Sequence, residues 1–418
     1  MRVIKGTIIE AAEFGTLKVT PHGSIVIDES GTIEGVYSSL PSFPDAETED
    51  WGDALILQSF CDMHLHAPQY PLTGTAMDKS LIEWLSSYAF PAERRLSDTE
   101  YARRIYRRLA SDLINNGTTR VSAFSSLHTD STIILMEEFE KAGICGFAGK
   151  VNMDRNGGEG LEETTEESKR ETLRWLDACS SFTHIRPVIT PRFTPSCTNE
   201  LMKWLGEIAE ERNLPVQSHL SENTREIEWV KSLHPECSEY WETYDKYGLF
   251  REHTIMAHCV HSSEREIEAM ASHSVTAAYC ADSNINIMSG VAPIRHIIDK
   301  GVRVTLGSDV AGGSEKAMYR VMTTSIKASK VRSMYDSASP RPLSAAEAYW
   351  LGTTSGHTCF GDRAGFAKGN KLHAIVVDDT TMIETPHPLT PEERLERAIY
   401  NMDDRNIKAV WSDGRKVK

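Results

Sequence analysis

From residue 97 to residue 309 the chain repeats one unit, a short apolar strand followed by an amphipathic helix, and this repeat limits the fold more than any other feature. LSDTEYARRIYRRLASDLINNG has a capping pair, Ser97 with Glu100, and a stop at Gly117 before the strand-like TTRVSAFSSL. DSTIILMEEFEKAG then reads as a helix and ICGFAGKVNM as a strand. IRPVITPRF, the amphipathic NELMKWLGEIAEERN and LPVQSHL continue the pattern. After an irregular stretch at 223–250 come TIMAHCV, a helix opened by Ser263 and Glu266, VTAAYC, a helix over 292–300, and VRVTLGSD. Repeated βα units give parallel strands, in a doubly wound sheet or a closed barrel. Periodicity does not choose between the two, although no GxGxxG or GxxxxGK[ST] follows an early strand, which weakens the nucleotide-binding sheet.

The two ends differ from the middle. RVIKGTIIE, TLKVT, SIVIDES and TIEGVYS are short strands separated by Gly, Pro and Asp turns, and the pattern resumes with LHAIVVDD and IKAVWSDGRKV, the latter with an Asp-Gly hairpin signal. Both termini therefore predict one small β-domain. With 418 residues and 40% hydrophobic content the chain can bury a large core.

A formal net charge of −15 argues against a broad phosphate-binding surface and so against nucleic-acid partners. The basic run RRIYRRLA at 103–110 has helical spacing and reads as a solvated face. Eight cysteines, at 61, 145, 179, 197, 237, 259, 280 and 359, include no CxxC pair, which fits a reducing cytosol. No segment approaches the ~18 apolar residues of a membrane span, and MRVIKGTIIEAAEFG lacks a long apolar leader core. The expectation is a soluble, cytoplasmic protein.

The chemistry collects at strand ends. His64 and His66 close ALILQSFCDMHLH, Arg192 closes IRPVITPRF, His219 closes LPVQSHL, His258 closes TIMAH, and Asp309 follows VRVTLGS. In a (β/α)₈ barrel these ends converge on one mouth. Spacing of i and i+2 on a strand points both imidazoles of the HLH the same way. His64, His66, His219 and Asp309 together offer three nitrogens and one carboxylate, donors that zinc accepts while keeping a position for water. Iron accepts the same set. Each residue alone has a plainer explanation: an HxH pair or a single strand-end histidine suits a hydrogen-bonded core, Glu222 a solvated loop, Arg192 a structural ion pair, Phe193, Trp84 and Tyr88 simple packing. The histidines at 22, 128, 184, 234, 253, 261, 273, 296, 357, 373 and 387 are read as structural, with His128, at another strand end, the least settled.

HAPQY, EWL and FPAE between 83 and 93, NGTTR, GKVNMD, TPRF, QSHLSEN, MAHC, SDVAGG and MDDRNI resemble, in order, segments of the guanine-deaminase family within the amidohydrolase superfamily. The resemblance implies a (β/α)₈ (TIM-like) barrel over 58–366 and a small β-sandwich domain formed by 1–57 and 367–418. It implies hydrolysis of guanine to xanthine and ammonia, one zinc or iron ion per chain held by His64, His66, His219 and Asp309, and a homodimer. It gives Glu222 the role of proton shuttle, Asp309 that of acceptor for the water proton, and His258 a hydrogen bond to the activated hydroxide; Gln69, Arg192 and Phe193, with His219 and Glu222, match purine-binding positions. Two departures stand out. Tyr279-Cys280-Ala281-Asp282-Ser283-Asn284 replaces the family's HCPxSN, and QSF before the HLH replaces PGF or PGL. Competing readings are deamination of a pterin, an oxidised guanine, a triazine or an adenosine-like compound, or an inactive scaffold on the same fold. A two-metal cyclic amidase is disfavoured because IRPVITPRF offers no bridging lysine, and the H-x-E with P-C-x-x-C zinc site is absent.

Overall fold

The computed structural model describes residues 1–39, 46–158, 160–336 and 341–418. The chain opens with strands β1 (Arg2–Glu13), β2 (Thr16–Ile27), β3 (Ile33–Tyr37) and β4 (Glu47–Gln58). The barrel strands follow: β5 (Phe60–His66), β6 (Thr118–Phe124), β7 (Cys145–Gly149), the short β8 (Val151–Asn152), β9 (Ile185–Pro187), the short β10 (Thr190–Pro191), β11 (Val216–Leu220), β12 (Thr254–His258), β13 (Thr276–Tyr279) and β14 (Arg303–Leu306). The chain ends with β15 (Ala374–Val377), β16 (Ile407–Ser412) and β17 (Arg415–Lys416).

Both termini meet in one seven-stranded sheet of order β17-β16-β15-β4-β1-β2-β3. Successive side chains point to opposite faces of a strand. Here both faces are covered: Ile9, Leu55, Leu57, Ile375 and Val377 join the main core, while Ile4, Ile8, Ile25, Ile27, Ile56 and Val376 form a second cluster. The register of β1 on β4 jumps from Lys5↔Asp50 to Thr7↔Leu55, so the sheet bends there. The hairpin between β16 and β17 turns at Asp413 and Gly414, both at positive φ (48° and 75°), as the Asp-Gly signal predicts.

The strands β5, β6, β7 and β9 are parallel neighbours, as are β11, β12, β13 and β14. A parallel bridge, Ile189 to Val216, joins the two sets on one side. On the other, Asp309 N donates to the His64 carbonyl and His66 N to the Val310 carbonyl, each at 2.8 Å. The result is a (β/α)₈ barrel. Every residue of β5, β6, β7 and β12 is buried, which is why these strands read as continuous runs instead of alternating ones.

Three local readings change. The helix over Thr99–Asn115 is capped by Asp98, whose Oδ1 accepts from the amides of Glu100 and Tyr101 at 3.0 and 3.1 Å; Ser97 lies outside it. A carboxylate also gains from the positive end of the helix dipole, so it displaces the serine beside it. The stretch expected to be irregular at 223–250 contains a helix over Thr224–Leu233, opened by a capping box of Asn223 and Glu226, and a short one at Glu242–Asp245. A further helix, Pro391–Asn401, interrupts the C-terminal strands and opens on a Thr390 and Glu393 capping box.

The second of these segments steadies the site. Tyr244 donates its hydroxyl to the His219 carbonyl at 2.8 Å and accepts from Thr194 N at 3.2 Å. Its position depends on Gly206, in the helix Asn199–Glu211, where a Cβ would collide with the Tyr247 carbonyl oxygen. Gly206→Ala is therefore expected to destabilise the fold by about 1–3 kcal/mol through overpacking. Urea denaturation followed by circular dichroism checks this; an unchanged midpoint would mean that the close approach is not needed.

Candidate metal centre and substrate cleft

Strand β5 delivers two ligand candidates because its alternation turns Asp62, His64 and His66 to the same side. Asp62 reaches across to the loop after β14, accepting from Ser308 N at 2.9 Å and Ser308 Oγ at 2.5 Å, and this pins the loop that carries Asp309. His219 comes from β11 and His258 from β12, two strands that are hydrogen-bonded neighbours. Asp309 Oδ1 lies 3.2 Å from His64 Nε2 and 3.6 Å from His66 Nε2, and His66 Nε2 lies 3.0 Å from His219 Nε2. Residues far apart in sequence thus share one small volume.

The donor chemistry fits a bound cation. His219 Nδ1 faces the Arg192 carbonyl at 2.6 Å, and a carbonyl only accepts, so the proton sits on Nδ1 and the Nε2 lone pair points inward. His64 Nε2 is buried and faces Asp309 Oδ1 at 3.2 Å. Burial holds His64, His66 and His219 below the ordinary histidine range, keeping the imidazoles neutral as metal ligation requires. Burial opposes the charge on Asp309, but the surrounding imidazoles, His64 foremost and then His258 and His66, outweigh it and hold the carboxyl well below its usual range. Among the described residues, the groups of three or more His, Cys, Asp or Glu side chains able to hold a metal are drawn from His64, His66, His219, His258 and Asp309 alone.

The turns that aim these groups are strained. Ser221, His258 and Asp309 lie at φ of 47°, 76° and 47°, in the left-handed region that non-glycine residues seldom occupy. Each costs on the order of 1–2 kcal/mol. Such strain collects where side-chain direction matters more than stability.

His258 stands between two carboxylates. Its Nδ1 lies 2.9 Å from Asn284 Oδ1, and its Nε2 is 3.5 Å from Glu222 Oε2 and 4.0 Å from Asp309 Oδ2. Although burial works against it, the carboxylates of Glu222 and Asp309 raise its pKa. Glu222 accepts from Ser289 Oγ at 3.0 Å, and burial pushes its carboxyl up to about 7.

These groups open into a narrow cleft with a cavity volume of about 40 Å³. His66, His219, His258, Asp309, Glu222, Gln69, Arg192 and Phe193 all line it, and His64, the remaining site residue expected from the sequence, stands in the same cluster 3.2 Å from Asp309. Leu81, Trp84 and Leu85 form a wall, and Glu226, Ile287 and Gly312 complete the lining. Trp84, read from the sequence as simple packing, is buried and also lines the cleft. Sequence reasoning missed Asn284, Ser289 and Glu93; Glu93 lay within the FPAE segment, but no spacing marked it. His128 precedes the helix Thr129–Ala142 as its N-terminal flank and does not line the cleft. The departure at 279–284 also stays off the lining: Tyr279 and Cys280 are buried, and Asp282 accepts from Ser314 N at 2.6 Å and Ser314 Oγ at 2.9 Å, bracing the loop after Asp309.

Three imidazoles and a carboxylate converging at the C-terminal mouth of a (β/α)₈ barrel define a metal-dependent hydrolase. The chain belongs to the Amidohydrolase family, whose pattern it matches over residues 55–417. Within that family it is similar to guanine deaminases: it is 33% identical to that of Dictyostelium discoideum, over 100% of this chain and 98% of the relative. The guanine deaminase of Mus musculus is 34% identical, with 96% of this chain and 91% of the relative covered. Among solved structures, guanine deaminase from C. acetobutylicum with bound guanine in the active site superposes with a TM-score of 0.96 at 39% identity, covering 99% of each chain.

Proposed function

We propose that this chain catalyses the hydrolytic deamination of guanine to xanthine and ammonia. The observation that carries the reading is the placement of Glu222, Arg192, Gln69 and Phe193 around one cleft with the imidazole and carboxylate cluster at its floor. Full-length similarity to guanine deaminases supports it. The catalytic unit is assigned to 58–366, with 1–57 and 367–418 as the β-domain, a division supported by the sheet that both termini share.

His64, His66, His219 and Asp309 would hold one divalent ion, assigned as zinc because nitrogen and carboxylate donors of this kind suit it. Such an ion supplies Lewis acidity, which lowers the pKa of water from about 15.7 to about 7. The protein's own groups do the rest. Arg192 donates to the C6 carbonyl oxygen, Gln69 hydrogen-bonds the ring edge, and Phe193 offers an aromatic face. Asp309 Oδ2 accepts the proton of the attacking water. As the water oxygen bonds to C2, Glu222 gives its proton to the adjacent ring nitrogen; it then takes up the second water proton and hands it to the amine as the C2–N bond breaks, and the proton held on Asp309 restores Glu222, so that water and guanine leave as xanthine and ammonia. His258 Nε2, between the two carboxylates, keeps them from repelling each other as protons move.

Among the described residues no helix is long and apolar enough to cross a membrane. We assign the protein to the cytoplasm, a placement supported by eight free cysteines. A homodimer is supported by exposed apolar side chains at Ile285, Val331, Met334 and Tyr335, on two helices that pack together, and at Met288 in the turn that follows the first. Sedimentation velocity tests the assembly.

Ammonia release across a panel of amino-heterocycles tests the reaction: guanine is expected to lead, and a pterin or triazine ahead of it would overturn the assignment. Arg192→Ala is expected to raise the KM for guanine by an amount equivalent to about 1–3 kcal/mol, the worth of a charge-assisted hydrogen bond. Steady-state kinetics with guanine checks it, and an unchanged KM would place Arg192 outside substrate binding.

A further inference from the structure

Glu93 is only 2% exposed, sits in the short helix Phe90–Arg94, and does not line the cleft. Its two carboxylate oxygens are divided between two residues that do. Oε1 accepts from Gln69 Nε2 at 2.7 Å and Oε2 from Arg192 Nη1 at 2.5 Å. The same helix supplies Phe90, whose ring centre lies 5.2 Å from the Arg192 guanidinium carbon. One short element therefore holds Arg192 by both its charge and its flat face.

We propose that Glu93 is a positioning residue that sets the selectivity of the cleft: it fixes the amide of Gln69 in one orientation and neutralises Arg192, so that an uncharged oxopurine is preferred to its anion. The inference rests on the functional reading above and adds a role for a residue behind the cleft.

The first half follows from acceptor chemistry. An ionised carboxylate only accepts hydrogen bonds, so Gln69 must turn Nε2 towards it; a flipped amide would set oxygen against oxygen. Gln69 Oε1 then faces Ala311 N at 3.4 Å. One N–H and one oxygen of Gln69 stay available to the ring edge in a fixed order. The second half follows from charge. Arg192 is 3% exposed, and a buried guanidinium without a counter-charge would draw in any anion that fits. Paired with Glu93, it keeps its remaining N–H donors but not its net charge. Guanine is neutral at pH 7, whereas xanthine is the stronger acid and loses a proton more readily. A neutral Arg192–Glu93 pair therefore favours the substrate and lets the ionised product leave.

Glu93→Gln preserves size but removes the charge and the orienting acceptor. Expected are a rise of about tenfold in guanine KM, from loss of charge-assisted ordering, a kcat near that of the wild type, full metal content, and tighter binding of xanthine that grows with pH as xanthine ionises. Glu93→Asp keeps the charge but is too short to bridge both partners, so its guanine KM should rise while xanthine binding by calorimetry stays at the wild-type level. Wild-type guanine KM and xanthine affinity in Glu93→Gln would overturn the proposal. So would a parallel fall of kcat, metal content and melting temperature in both variants, which marks a merely structural residue. If Glu93→Gln does not fold, Glu93→Asp decides alone: raised KM with unchanged xanthine binding supports the proposal, and unchanged KM overturns it. A wild type that releases no ammonia from guanine would sink the functional reading only, because the calorimetric comparison of xanthine binding still scores the charge argument.

Discussion

Glu222→Gln is expected to keep the metal and guanine affinity while losing about 10²–10⁴-fold in kcat, the usual worth of a positioned acid or base. The glutamine fills the same space and can still accept from Ser289 Oγ, the 3.0 Å bond that orients the native side chain. What it cannot do is take up and release a proton. Glu222 is 4% exposed, and burial lifts its carboxyl to about 7, where both protonation states are accessible near neutral pH. The measurement is kcat for guanine beside elemental analysis of the same preparation. Turnover within tenfold of the wild type would remove Glu222 from the proton path.

Loss of a ligand should be equally severe, and it is read first in metal content. Elemental analysis of the wild type is expected to give about one divalent ion per chain, as a single set of four donors implies. His66→Ala removes a nitrogen that lies 3.0 Å from His219 Nε2 and 3.6 Å from Asp309 Oδ1. Metal should fall well below stoichiometry, activity should vanish with it, and added zinc should no longer raise the melting temperature. The thermal readout is independent of turnover, because an ion bound only to the folded state stabilises it by about 4 kcal/mol at a thousandfold excess over Kd. Stoichiometric metal in both His66→Ala and Asp309→Asn would mean that the ion, if any, sits elsewhere, and a wild type without metal would point to an inactive scaffold.

Much of this site is legible in the sequence. A strand alternates with period two, so the HLH pair had to share a side once it lay on a strand. His219, His258 and Asp309 became readable as partners through their common place at strand ends. The errors have physical causes as well. Ser97-Asp98-Thr99-Glu100 offers two caps one residue apart, and the pattern alone does not weigh a carboxylate against a hydroxyl at a helix dipole. The helix Thr224–Leu233 carries only a thin apolar stripe in TREIEWVKSL, so its period does not announce it, although its Asn223 and Glu226 capping signal is present.

By itself the sequence determined the βα repeat, the strand-borne imidazoles and the β-rich ends, because these depend on contacts within a few residues, where backbone geometry imposes its own period. Only the tertiary structure decided that Glu93 reaches Gln69 across 24 residues and Arg192 across 99, that Asp62 pins the loop of Asp309, and that the unusual 279–284 segment stands behind the cleft and not in it. Such contacts carry no period. They exist because closing the barrel removes water from polar groups that must then find partners wherever the chain has brought them.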